Sequence, residues 1–187
     1  LILDKNVTIE AEELAERVTL DADNMGRVFV VNSGVTATLN SLKISHGNNV
    51  NIGGGIYNEG TLTLYDVDLI NNMVTQYGGA IYNYGTLTVM NSLFYSNSAQ
   101  FAGGIYNDGG LLDITHSTFE ENSASNKGGG IFNAENSNLF VADTTLSGNR
   151  AVYEGGGIAN YATTATVNII ASTFTGNQAT SSVMGSG

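Results

Sequence analysis

Along most of this chain, apolar and polar residues alternate with a period of two, in bursts of three to five residues. In Thr61-Leu62-Thr63-Leu64 and Thr86-Leu87-Thr88-Val89 the apolar side chains alternate with threonines. This is the pattern of a strand with one buried face and a β-branched wet face. Val7-Thr8-Ile9 and Val18-Thr19-Leu20 are shorter runs of the same kind. No stretch within this pattern sustains a helical period, and Gly and Asn punctuate it. The pattern therefore predicts many short strands joined by tight turns.

The bursts repeat. Gly-Gly-x-Ile-aromatic-Asn recurs at 53–58, 78–83, 102–107 (with Ala102 first), 128–133 and 155–160 (with Ala159 in the aromatic slot). Its isoleucines, Ile56, Ile81, Ile105, Ile131 and Ile158, follow one another at near-constant spacing. A second landmark, a large apolar residue followed three positions later by Asn, runs from Leu69 to Asn72, Phe94 to Asn97, Phe119 to Asn122, Leu146 to Asn149 and Phe174 to Asn177. A fixed period of about 25 residues announces a solenoid and is too short for a propeller blade. Three short strands in each period suit one turn of a triangular coil that pairs with the next turn. The expected fold is an all-β, single-stranded parallel β-helix of roughly six to seven coils. Residues 1–29 read as an edge coil and 30–52 as a degenerate coil aligning Val30-Val31-Asn32 with Ile56-Tyr57-Asn58. Residues 53–180 read as five regular coils and 181–187 as a tail, all within one domain.

Stacking assigns each column a role. The repeat isoleucines should point inward, together with Leu62, Leu87 and Leu112 and with Leu69, Phe94, Phe119, Leu146 and Phe174. Asn58, Asn83, Asn107, Asn133 and Asn160 should point inward at a corner, where each amide can bond the coils above and below. Small residues at Ser92, Ser117 and Thr144, and at Ala99, Ala124 and Ala151, are what a narrow bend admits. The second glycines, such as Gly54, Gly79, Gly103, Gly129 and Gly156, should supply positive φ or close backbone approach.

Composition fits this reading. The 187 residues include 24 Gly and 23 Asn, a level that in isolation suggests low complexity, but 42% of the chain is apolar and the mean hydropathy is +0.01, enough to build a core. The 24 glycines without proline exclude a collagen triple helix. The absence of proline also follows if nearly every strand must donate to ladders on both sides. A formal charge of −11 opposes nucleic-acid binding and adhesion to an anionic bilayer. No apolar run approaches the ~18 residues that would span a membrane, so the chain is expected to be soluble, without membrane insertion, and already processed. Without cysteine, thiolate chemistry and disulfides are excluded.

The pairing of Gly-Gly-(Gly/Ala)-Ile with Phe-x-x-Asn, cleanest in Gly78-Gly79-Ala80-Ile81 and Phe94-Tyr95-Ser96-Asn97, resembles the repeat of the polymorphic outer-membrane proteins. It also resembles related bacterial surface proteins with right-handed parallel β-helix repeats, a branch of the pectin-lyase-like superfamily. The resemblance covers roughly 28–179. It implies secretion or display at the cell surface and a role as adhesin, passenger or stalk.

That superfamily also contains polysaccharide-degrading enzymes, so catalysis is weighed on residues. Asp66, Asp68, Asp113, Glu120, Glu121 and Asp143 could in principle pair for acid/base work on a glycosidic bond, but their turn and variable-slot positions suit solvated side chains. His46 and His116 lie in different repeats with no traceable triad. Only six basic residues are present, too few for an obvious polyuronate subsite. The chain is expected not to be an enzyme and to need no cofactor, with calcium at most an opportunistic ion. The competing reading is a carbohydrate-binding or polysaccharide-degrading module.

Tyr57, Tyr82, Tyr106 and Phe132 should form an outward aromatic column, either stiffening the sheet or offering a flat strip to sugar rings or a neighbouring protein. An open solenoid end is a template for another chain. Leu1, Ile2, Leu3, Val183 and Met184 are the expected end-to-end contacts if subunits stack into a filament, and a longer parent protein is the other explanation. The acidic segment from Glu10 to Glu16 could cap one end through Leu14 and Val18. Partners are thus expected to be further copies of the chain, or a host or cell-surface protein or glycan, in an extracellular setting.

Overall fold

A computed structural model describes residues 1–11, 17–49, 51–164 and 166–181. Most of the proposed acidic cap, and both Val183 and Met184, fall outside them. The described chain winds as a parallel β-solenoid of about seven turns whose strands form four parallel sheets. Sheet A stacks Ile2–Leu3, Phe29–Val31, Ile56–Asn58, Ile81–Asn83, Ile105–Asn107, Ile131–Asn133 and Ile158–Asn160. Sheet B runs from Val7–Glu10 through Thr36–Asn40, Thr61–Tyr65, Thr86–Met90, Leu111–Thr115 and Asn138–Ala142 to Val167–Ile170. Sheet C includes Asp68–Ile70, Leu93–Tyr95 and Thr118–Glu120, and sheet D includes Met73–Val74, Ser98–Phe101 and Ser123–Lys127.

Two sequence expectations need correction. Each regular coil has four strands rather than three. The segments around Val74, Ala99, Ala124 and Ala151 are short strands of a six-stranded sheet D, not merely bends. Four of the six strands have two residues, too few to display a period of two, and only pairing with the neighbouring coil reveals them. The second correction is one of register: Phe29, Val30 and Val31 pair with Ile56, Tyr57 and Asn58, one residue away from the expected alignment of Val30 to Asn32. A slip of one residue exchanges the two faces of a strand. Phe29 and Val31 are therefore the fully buried residues, and the degenerate coil places Val31 where the regular coils place asparagine.

The interior columns form as expected. Ile56, Ile81, Ile105 and Ile131, Leu62, Leu87 and Leu112, and Leu69, Phe94, Phe119 and Leu146 are all 0% exposed. Phe94 and Phe119 stack with centroids 4.3 Å apart. Phe174 continues this column in the last described coil but is 45% exposed, having no described coil beyond it.

Polar side chains inside the solenoid are bonded along the axis. Asn58, Asn83 and Asn107 each donate from Nδ2 to Oδ1 of the next rung at 2.7–2.8 Å, and Asn133 donates to Asn160 at 2.9 Å. Asn72, Asn97, Asn122, Asn149 and Asn177 make a second ladder, in which the backbone N–H and the Nδ2 of one rung both donate to Oδ1 of the next. A third ladder explains the small residues of the bend. The hydroxyls of Ser92, Ser117, Thr144 and Ser172 accept from the backbone N–H of the preceding coil, while donating to the carbonyl two residues back. Size admits these residues, and the hydroxyl replaces a backbone partner lost at the corner.

Corners are made by single residues in the left-handed region. Between sheets B and C this is Ser41, Asp66, Asn91, His116, Asp143 or Ala171, with φ between 48° and 55°. Between C and D it is His46, Asn71, Ser96, Glu121, Gly148 or Gly176. The expected role of the paired glycines divides between the two: Gly78 is the left-handed residue, φ 67°, whereas a Cβ on Gly79 would run into the backbone of Gly103 and Ser98 in the next coil.

Asn97 bonds both neighbouring rungs and the carbonyl of Leu69. Replacing it with alanine leaves several buried groups unpaired and is expected to cost about 3 kcal/mol in urea denaturation. Ser98→Ala, on the outer face beside it, should change stability by no more than about 0.5 kcal/mol.

Candidate functional site

The outer face of sheet A carries the aromatic column. The strand register places Tyr57, Tyr82, Tyr106 and Phe132 side by side. Centroids are 5.6 Å apart for Tyr57 and Tyr82, 5.4 Å for Tyr82 and Tyr106, and 5.0 Å for Tyr106 and Phe132. The last two pairs lie within 10° of parallel. The rings thus stack along the solenoid axis, with their faces turned toward one another and their edges toward solvent. Where Ala159 occupies the aromatic slot, Tyr161, two residues later, covers Phe132 at 5.2 Å and leaves it only 6% exposed.

A second row leans on the first. Tyr77 lies 4.8 Å from Tyr106 and 5.4 Å from Phe101, and Phe101 meets Phe132 edge-on. Tyr77 and Phe101 each stand immediately before the motif glycine or its Ala102 equivalent. That recurrence at one-coil spacing is the signal by which the sequence could have revealed them. Two of the six basic side chains meet the column: the Arg27 guanidinium lies 5.0 Å from the Tyr57 centroid, and the Lys127 ammonium donates to the Tyr161 hydroxyl. Arg27 covers the terminal face of Tyr57 in a cation–π arrangement.

Carboxylates accept from the phenols. The Tyr57 hydroxyl donates to Glu59 at 2.7 Å, that of Tyr82 to Asp108, and that of Tyr161 to Glu154, which also pairs with Lys127. Burial, reinforced by Glu59, pushes the Tyr57 phenol up to about 12. Burial and the nearby charge of Asp108 push Tyr106 up to about 12, and burial also raises Tyr82.

The carboxylates and histidines considered for catalysis are dispersed over other faces. Asp66, His116, Asp143, Glu121 and His46 are left-handed corner residues, which accounts for the identities of all but Glu121, since Asp, Asn and His tolerate positive φ best. Arg17 ties Asp66 and Asp68 together through both guanidinium nitrogens, and burial still raises the Asp68 carboxyl. His46 sits 3.0 Å from Asp21 and His116 sits 3.8 Å from Asp143. Each pair is separated along the sequence by a whole repeat, so only stacking makes the partners neighbours. Asp113 faces outward in sheet B between Thr88 and Phe140. Its Oδ1 is enclosed without a partner among the described residues, and burial pushes its carboxyl above the ordinary range. Among the described residues, no three His, Asp or Glu side chains converge so as to hold a metal ion.

The family described as the Chlamydia polymorphic membrane protein repeat matches residues 116–134. That segment contains Phe119-x-x-Asn122 and Gly128-Gly129-Gly130-Ile131, and so spans the Asn ladder, sheet D and the return to the aromatic face. The chain is similar to that repeat over this one segment. No curated protein and no solved structure matches the chain.

Two titrations follow. Because folding holds the Tyr57 and Tyr106 protons more tightly, the native state binds more protons in alkali. Stability should then fall as pH rises from about 10 toward 12, and Tyr106→Phe should reduce that fall in urea melts at stepped pH. The raised carboxyl of Asp113 acts with the same sign at acid pH: its ionised form penalises the fold above the native pKa, and the penalty disappears as pH drops through it. Asp113→Asn is therefore expected to be more stable than the parent at pH 7, with the difference shrinking below the ordinary carboxylate range.

Proposed function

We propose that this chain is a surface-displayed, non-enzymatic β-solenoid with an adhesive role, and that the aromatic column of sheet A is its contact face for a protein on another surface. The carrying observation is the column itself, a continuous five-ring stack from Tyr57 to Tyr161 with ring edges, phenols and carboxylates outward. Tyrosine-rich, pre-ordered surfaces give large contact area at little cost in side-chain entropy. Sugar rings dock on exposed aromatic faces, and here the faces are taken up by the stack, which favours a protein partner over a glycan. The similarity at 116–134 to a polymorphic membrane protein repeat supports a cell-surface setting. Short turns support a structural rather than catalytic role: two residues separate Asn58 from Thr61, Tyr65 from Asp68 and Ile70 from Met73, leaving little loop from which to build a cleft.

End-to-end stacking is a second reading, favoured by the exposed rung at the last described coil. Phe174 is 45% exposed and the inward Ile169 44% exposed. Such rungs accept a further coil, from the same chain or from a second copy.

The adhesive reading is tested by binding the purified chain to a panel of extracellular-matrix proteins and a panel of glycans. Tyr82→Ser should weaken binding to the protein panel while Thr118→Ser does not. Capture by glycans alone, unchanged binding of Tyr82→Ser, or release of reducing or unsaturated sugars from acidic glycans would defeat it. For stacking, light scattering and negative-stain microscopy should show axial particles that lengthen with concentration, and monomers at high concentration would refute it.

A further inference from the structure

The outer face of sheet B carries a second ordered surface, unrelated to the aromatic column. Thr36-Ala37-Thr38, Thr61-Leu62-Thr63 and Thr86-Leu87-Thr88 occupy consecutive strands, with the middle residue buried and both threonines outward. Register aligns Thr36 with Thr61 and Thr86, and Thr38 with Thr63 and Thr88, while Thr8 extends the second column by one strand. The result is a net of seven threonines, with rows about 4.8 Å apart between strands and about 6.6 Å apart along each strand. None of the seven hydroxyls bonds to another protein group among the described residues; their polar contacts are made by the backbone, as from the N–H of Thr36 to Asn6 and from Asn58 to the carbonyl of Thr86.

Three features distinguish this net from ordinary strand preference. The strands Thr36–Asn40, Thr61–Tyr65 and Thr86–Met90 hold no charged side chain, in a chain of formal charge −11. The corresponding outward column of sheet C is mixed, with Lys43, Asp68, Leu93 and Thr118 in register. Threonine is also stiff at χ1, so neighbouring hydroxyls on a uniform backbone can repeat one orientation. Seven free donors and acceptors on a two-dimensional lattice cannot all be met by a small dissolved molecule. A periodic, uncharged, hydrogen-bonding solid can meet them, and the spacing between strands lies close to the shorter oxygen repeat on the prism face of hexagonal ice, while the spacing along each strand falls somewhat short of the longer one. We propose that the threonine face of sheet B binds ice, its hydroxyls entering the lattice and its methyl groups ordering the water between them. The net ends where Asp113 and Leu111 replace threonine in the next strand.

The purified chain is tested by nanolitre osmometry and by ice recrystallisation. The parent should facet growing crystals, separate the freezing point from the melting point and keep ice grains small. Thr63→Tyr, at the centre of the net, should lose all three effects, while Thr118→Tyr on sheet C retains them, both being checked for the parental circular dichroism. Should Thr63→Tyr fail to fold, Thr61→Lys at the exposed edge of the net replaces it with the same expected loss. Ice that grows in the parent as it does in buffer, or a folded net variant that keeps the activity, overturns the proposal.

Discussion

Parallel backbone pairing holds every coil of this solenoid at one spacing from the next, and that constraint governs what each position can contain. A polar group buried in one coil has its nearest buried neighbours directly above and below, so it is satisfied most readily by a copy of itself. Asparagine meets this demand because its amide both donates and accepts along the axis. Two uninterrupted asparagine ladders and one hydroxyl ladder therefore bind coils to each other where the corners break the sheets. The apolar columns are equally repetitive, since an isoleucine or phenylalanine packs against its equivalents in adjacent coils. Stability in such a structure is close to a sum of coil and neighbour terms.

The corners translate this regularity into surface chemistry. Each turn between sheets B and C, or C and D, pivots on one left-handed residue, and the residues that tolerate that conformation are largely polar or ionisable. Carboxylates and histidines consequently appear on the exterior at intervals of one coil and meet as pairs such as His46 with Asp21 and His116 with Asp143. Their grouping follows from backbone geometry. A repeating motif that places acids in turns is thus weak evidence for catalysis in a solenoid.

Outside the corners, the sheets present faces of distinct character on a common lattice. Sheet A stacks rings from Tyr57, covered by Arg27, to Tyr161, whose hydroxyl meets Lys127 and Glu154, so its aromatic character is continuous. Sheet B presents hydroxyls and methyl groups without charge over three successive strands. The same backbone spacing serves both: it is short enough for parallel rings to touch and regular enough for hydroxyls to form a net. Differences between faces arise only from the residues at outward positions, which the interior leaves free to vary.

The near-constant repeat period and the alternation within it were sufficient to establish a parallel β-solenoid, the inward columns and both asparagine series, because identical neighbours in a stack leave a direct imprint on the chain. Sheet D left no such imprint because its strands are as short as two residues, and the register of Phe29 to Val31 was obscured because the degenerate coil lacks the asparagine that marks the others. The aromatic site was half legible. Tyr57, Tyr82, Tyr106 and Phe132 share a motif slot, but Tyr77, Phe101 and Tyr161 join them only through side-chain reach across a corner. Whether ring faces or ring edges meet the solvent was decided by the tertiary structure alone. Sequence specifies which residues recur at each coil, whereas ring orientation depends on how each side chain packs against the coil above it.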